Sequence, residues 1–123
     1  MRVDWATLPV GQGMRAGATR QAIAGERLSA VRVGTHRDAS FDESALHSHE
    51  NEQLLIMVSG RLELEVDGAR YWVEAGDLAY FTAGSIHGAV GVGEEGAIYY
   101  EVFSPPRYDQ LPGYVGTSPL KFA

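Results

Sequence analysis

Three polar side chains of the segment LHSHENEQ, namely His47, His49 and Gln53, occupy positions of equal parity, and a fourth, His87, follows in GDLAYFTAGSIHG. Side chains on an extended strand alternate faces with a period of two, so positions 47, 49 and 53 project the same way and converge where that face is concave. Two imidazoles, an amide carbonyl and a distant third imidazole make a mixed nitrogen and oxygen set suited to one divalent transition metal, Mn, Fe, Ni, Cu or Zn. There is no cysteine, which excludes a thiolate site. The competing reading is that these are ordinary hydrogen-bonded surface histidines, and for His36, in the polar run GTHRDAS, that reading is preferred. For the others, context argues for a site: the motif leads directly into the apolar run LLIMV, and His87 follows a glycine-punctuated strand.

The elements that must position these groups are strands. No stretch of ten or more residues keeps a helical period, whereas apolar runs of four to eight residues recur between turn signals. ATRQAIAG, RLSAVRVG, LLIMVSG, RLELEVDG, ARYWVEAG, DLAYFTAG and AIYYEVFS read as strands, with 15 glycines supplying most of the breaks. RLELEVDGARYWV reads as a hairpin, with Leu62, Leu64 and Val66 alternating with Glu63 and Glu65 and closing on the favoured Asp67-Gly68 turn. One face of that hairpin is wet, so Glu63 and Glu65, like Glu94 and Glu95, are assigned to solvated faces or loops. In LLIMV both parities are apolar. If Leu55 and Met57 line the interior with Gln53, then Leu54, Ile56 and Val58 need cover, and a second copy of the chain is the expected cover. The tail YDQLPGYVGTSPLKFA is too apolar for a free linker and is expected to wrap the barrel as an irregular arm.

Composition sets outer limits. A chain of 123 residues is expected to form one domain, residues 1–123, with irregular arms at both ends. Its net charge of −6 argues against nucleic acid, which needs clustered Lys and Arg rather than ten scattered ones. No apolar run approaches the ~20 residues of a membrane span, and MRVDWATLPVGQG lacks the apolar stretch of a secretory signal, so a cytoplasmic protein is expected. A small anion remains an admissible partner, because one arginine and one cation placed locally override the global sign.

Seven or more short strands between turn signals fit a sandwich or barrel, and the motifs choose among these. His47-Ser48-His49, Gln53 and Gly60 resemble the first block of the cupins, and Gly76-Asp77, the Thr82-Ala83-Gly84 turn and His87 resemble the second. Thr82 stands where that family usually has proline and Gly91 where it often has asparagine; both are turn positions. The resemblance implies an all-β fold, the cupin (RmlC-like) jelly-roll β-barrel. GAIYYEVFSPPRYDQLPG is similar to the closing segment of the small single-domain cupins of pectin and alginate breakdown, the KdgF type, whose metal site is three His and one Gln. TRQAIAGERLSAVRVG looks like their opening strands, so the similarity covers most of the chain.

That resemblance implies linearisation of 4,5-unsaturated uronates, with His47, His49, Gln53 and His87 holding the metal, Glu101 as the proton-transfer group and Arg107 as a carboxylate clamp. Glu101 stands where the family typically has Asp, which moves the carboxyl by about a bond length. Positions 99, 101 and 103 share parity, so a Glu101 that faces the interior takes Tyr99 and Phe103 with it as substrate-contacting residues. Four neutral ligands leave the ion its full charge and favour anionic partners such as α-keto acids and enolates. Two rivals use the same ligands: a metal-dependent dioxygenase or lyase, and a non-catalytic small-anion binder. An unpaired carboxylate at Glu101 would repel an anion and counts against the second.

Overall fold

The computed structural model describes residues 1–42 and 45–123. Among these, nine strands form one antiparallel sheet: β1 (Gly11–Gln12), β2 (Ala18–Ala24), β3 (Ser29–Thr35), β4 (His47–Ser48), β5 (Glu52–Val66), β6 (Ala69–Glu74), β7 (Leu78–Phe81), β8 (His87–Ser104) and β9 (Lys121–Phe122). Along the sheet the order is β1-β2-β3-β8-β4-β9, while β5 pairs with β6, β7 and β8. Trp5–Thr7 and Tyr108–Gln110 are single 3-10 turns, and among the described residues no helix is long and apolar enough to cross a membrane.

Two strands do most of the shaping. The sequence divides LLIMVSG from RLELEVDG, but the chain runs through both as the single 15-residue β5. Register shifts between Met57 and Ser59, Gly60 and Leu62, and Glu63 and Leu64 bend the strand without ending it. Gly60 is the hinge of that bend. Its φ is 74°, and a Cβ there would stand 1.9 Å from the Gly96 carbonyl oxygen of β8, so no larger side chain fits without displacing backbone. Likewise, glycines 91, 93 and 96 look like breaks yet lie inside the 18-residue β8. Side chains of β5 cross over two of them: a Cβ on Gly91 would meet Glu63 at 3.1 Å, and one on Gly93 would meet Arg61 at 3.2 Å.

The bend lets inward parity close on itself. Leu55, Met57, Leu62 and Leu64 of β5 are at most 3% exposed, and they pack with Val31 and Val33 of β3, Phe81 of β7 and Tyr99 and Phe103 of β8. Truncating a fully buried leucine such as Leu62 to alanine would cost roughly 2–5 kcal/mol. The expected hairpin is present, with Val66 opposite Ala69 and both Asp67 (φ 47°) and Gly68 (φ 87°) left-handed, the geometry of a two-residue primed turn. Glu94 and Glu95 are exposed as expected, though within β8 rather than in a loop. On the outward face, Ile56, Val58, Leu78 and Tyr80 are 38–62% exposed, and Leu54 and Ile56 lie directly across from Tyr80 and Leu78. The tail is irregular over most of its length, and its last strand, β9, pairs with β4 beside His47.

Candidate metal centre and its cavity

His47, His49, Gln53 and His87 meet at one end of the interior, each at most 5% exposed. The three imidazoles bring ligand-capable nitrogens within 4.8 Å of one another. They do not reach this arrangement along one strand face. Only His47 and Ser48 are extended; the chain then bends through His49–Asn51 before β5 begins at Glu52. The bend is tied down by the Asn51 amide donating to the Pro105 carbonyl at 2.6 Å and by the Gly84 N–H donating to the His49 carbonyl at 2.8 Å. His87 is placed independently, as the first residue of β8 and the direct cross-strand partner of His47.

Each ring presents its other nitrogen to a backbone carbonyl: His47 Nδ1 to Ala45 at 2.8 Å, His49 Nδ1 to Asn51 at 3.0 Å and His87 Nδ1 to Ser85 at 3.0 Å. Carbonyls only accept, so each Nδ1 carries the proton and each Nε2 keeps a bare lone pair. Burial holds the rings neutral, lowering His47 and His87 to about 4 from the usual 6.5, and lowering His49 in the same direction. The Gln53 amide faces this cluster with its oxygen, 3.0 Å from His49 Nε2 and 3.1 Å from His87 Nε2. Its NH₂ is occupied by a very close donation to Glu101 Oε2, which sets the orientation of the amide.

The result is an arrangement of acceptors with no donor between them. Lone pairs of two imidazoles and one amide oxygen point at a common place, which is unfavourable for a bare protein and favourable around a cation. The separations of 3.0 and 3.1 Å are short enough for these atoms to share one cation. The donor set therefore fits one divalent ion held by His47, His49, Gln53 and His87.

Beyond the cluster lies a cavity of about 60 Å³. Glu101 and Tyr99 of β8 line it, as do Arg15, Arg20, Arg107 and Gln110. Burial dominates at Glu101 and raises its carboxyl to about 7 from 4.5, although Arg107, Arg15, Arg20 and the Gln53 donation all pull the other way. Tyr99 hydrogen-bonds Thr35 Oγ1 at 3.1 Å, and burial pushes its phenol well above the ordinary range. Arg107 is 4% exposed and forked onto Asp109, with Nη2 to Oδ2 at 2.8 Å and Nε to Oδ1 at 3.3 Å. Phe103, 1% exposed, is not in the cavity wall; it packs edge-on against the His49 ring and lies under the Arg107 guanidinium, 4.9 Å from it.

Arg15, Arg20 and Gln110 were not singled out from the sequence. For Arg20 a weak signal exists: it shares parity with Ala18 and Ala22 in β2, so small neighbours leave room for a guanidinium on the inward face. Arg15 lies in an irregular loop, where its Nη1 donates to the Ala89 carbonyl at 3.1 Å and its guanidinium sits over Phe41. His36, read as a surface residue, is 65% exposed beside Asp38.

Comparison with known proteins agrees with the fold. The family model for the cupin domain matches residues 38–103. The pectin degradation protein KdgF of Dickeya dadantii is 30% identical over 66 residues, 53% of this chain and 59% of that protein. An H2HPP isomerase of Bacillus subtilis is 28% identical over 68 residues, 55% of this chain and 29% of that protein. Both matches span less than two thirds of the curated relative. Among solved structures, KdgF from a Halomonas species superposes with a TM-score of 0.70 at 30% identity, covering 81% of this chain and 89% of that one. An RmlC-like cupin from Shewanella frigidimarina gives 0.74 at 27% identity, covering 87% and 92%.

Proposed function

The chain belongs to the cupin family, and from that footing we propose that it is a metal-dependent isomerase that linearises 4,5-unsaturated uronates. The observation that carries this reading is the lone-pair cluster of His47, His49, Gln53 and His87 set directly against a buried carboxyl that titrates near neutrality. Similarity to KdgF proteins and to an H2HPP isomerase supports isomerisation as the class of reaction.

In this reaction the bond from C1 to the ring oxygen breaks as the C1 hydroxyl loses its proton; the ring oxygen becomes the enol of an α-keto acid, and a proton added at C4 gives the ketone. Atoms balance without any redox partner. A divalent ion held by the four ligands would supply a fixed positive charge against the negative charge that develops on the enolic oxygen. Glu101 moves the proton: a carboxyl near 7 is present in both protonation states at physiological pH, the condition for shuttling. Arg107 spends two N–H groups on Asp109 and retains others for a substrate carboxylate, with Phe103 beneath it fixing its plane. Tyr99, in the cavity wall, contacts the sugar. The test follows loss of the conjugated double bond's ultraviolet absorbance from unsaturated galacturonate after subtraction of the spontaneous rate. A rate no faster than buffer rejects the assignment.

The same reading includes a homodimer. Leu54, Ile56, Val58, Leu78 and Tyr80 form a contiguous apolar area on the outer face of β5 and β7, of the kind that a second copy covers. Ile56→Asp together with Leu78→Lys should give a monomer by light scattering at micromolar concentration while leaving metal content unchanged. A wild-type protein that is itself monomeric there overturns the dimer.

A further inference from the structure

The cavity has a second end that the ring-opening chemistry does not use. Arg20 and Gln110 line both the central cavity and an adjoining surface groove of about 300 Å³ walled by residues 9–12 and 109–114. At about 60 Å³ the cavity alone lies well below the ~300–1,000 Å³ usual for small-molecule sites, so a ligand bound at the metal cluster has its room in this direction. Gln110 is 7% exposed, and its side-chain oxygen is a buried acceptor without a partner among the described residues. Leaving such a group unpaired is unfavourable, so its presence at a cavity wall points to a ligand that satisfies it. The Arg20 guanidinium beside it has no hydrogen-bond or ion-pair partner among the described residues, whereas the neighbouring Arg107 is committed to Asp109.

We propose that Arg20 and Gln110 form a polyol subsite that binds the hydroxyl-bearing far end of a sugar acid whose carboxylate lies between Arg107 and the His47, His49, Gln53 and His87 cluster. The chemistry that fits is a hydroxyl. It donates to the Gln110 carbonyl oxygen and accepts from Arg20, and because it can do both it also suits the opposite orientation of the amide. A simple carboxylate would satisfy Arg20 and leave Gln110 unpaired; an apolar chain would satisfy neither. Preference for hydroxylated over deoxy acids therefore originates here, through the penalty for leaving both groups unpaired. The subsite rests on the metal-centre reading, and it names the part of the substrate that the metal and Glu101 do not touch.

The experiment compares two six-carbon acids with the same chelating head, gluconate and 2-hydroxyhexanoate, by calorimetric titration into Ni²⁺-bound protein. Only gluconate carries distal hydroxyls. Wild type should bind gluconate about tenfold more tightly, the usual worth of one or two well-placed hydrogen bonds. Gln110→Leu should erase most of that preference while leaving 2-hydroxyhexanoate affinity and nickel content unchanged; Arg20→Met, which also removes a positive charge from the cavity, should weaken gluconate by clearly more than it weakens 2-hydroxyhexanoate, and Arg20→Lys should retain part of the preference. Arg20 is half-buried and at the groove, so its variants decide the matter if Gln110→Leu does not fold. Equal affinity of wild type for the two acids overturns the subsite, as does equal weakening of both acids in the variants. If gluconate is preferred yet no unsaturated uronate is consumed, the subsite stands and the uronate assignment falls; turnover of uronate with no hydroxyl preference gives the reverse.

Discussion

The two walls of the cavity are built on opposite principles. On one side His47, His49, Gln53 and His87 offer only lone pairs: they are neutral and nearly dry, the three rings oriented by backbone carbonyls at 2.8–3.0 Å and the Gln53 amide by Glu101. On the other, Arg15, Arg20 and Arg107 offer only donors and positive charge. Glu101 stands between them, receiving the Gln53 amide from the first wall and the field of all three arginines from the second. An acceptor wall needs a cation and a donor wall needs an anion, so the cavity is complementary to an anion held against a metal ion. This holds although the chain as a whole carries −6, because the opposing charges are at the surface and screened.

Removing one member of the acceptor wall should have the largest effect. His49→Ala should keep the fold and weaken divalent metal binding by roughly 10²-fold or more, above the 10–100-fold cost of altering groups that merely support a ligand. Metal analysis after dialysis checks this, and full metal retention would remove the first half of the comparison. Next comes the residue between the walls. Glu101→Gln is nearly isosteric and should leave metal content intact while lowering kcat by roughly 10²–10⁴-fold, the ordinary worth of a positioned acid or base. An unimpaired variant would assign the proton transfer elsewhere.

The donor wall is expected to matter less to rate than to affinity. Arg107→Ala should mainly raise KM for an unsaturated uronate, by about tenfold, with kcat closer to wild type, because a contact made equally in ground and transition states is uniform binding. A loss confined to kcat would instead make Arg107 part of the chemical step.

The smallest effect is on stability and reads the acceptor wall together with Glu101. In chelator-treated protein between pH 4.5 and 6.5, His47 and His87 are neutral in the fold, titrating at about 4, but protonate in the unfolded chain, whose value is 6.5. Glu101 does the reverse, keeping its proton up to about 7 in the fold while the unfolded chain releases it near 4.5. The unfolded state thus holds one net extra proton, two from the histidines less one from the carboxyl, and stability should rise with pH across this window by about 1.4 kcal/mol per unit. His49, lowered in the same direction, adds to the slope. In Glu101→Gln the opposing contribution vanishes and the slope should steepen toward about twice that value. Denaturant melts at four or five pH values suffice, and a slope that flattens in the variant would contradict the assignment.

What could be read in the chain is what depends on local rules. Period-two alternation in RLELEV, the Asp67-Gly68 turn and the glycine spacing gave the strands and the hairpin, because the pleat and the turn are set by a few neighbouring residues. The four metal-cluster residues were legible for a similar reason: three lie within seven positions, and the fourth lies behind a recognisable turn. The parity argument nevertheless misplaced the backbone, since His49 reaches the cluster through a bend that is held by Pro105 and Gly84, contacts remote in sequence. The continuity of β5 and β8 through their glycines was hidden as well, because whether a glycine ends a strand or lets another chain cross it depends on what lies opposite.

Apart from Arg107, the polar groups of the wall facing the cluster were decided by the tertiary structure alone. Arg15 comes from a loop, Arg20 from β2 and Gln110 from a turn after β8, and no spacing links them. Length and composition already bounded the size of the core, and alternation already fixed which side chains face inward. Which of those side chains meet, and at what charge, follows from how far β5 and β8 bend, and that is a property of the closed sheet: a small change in bend moves residues as remote in sequence as Glu52 and Ser104 into or out of contact.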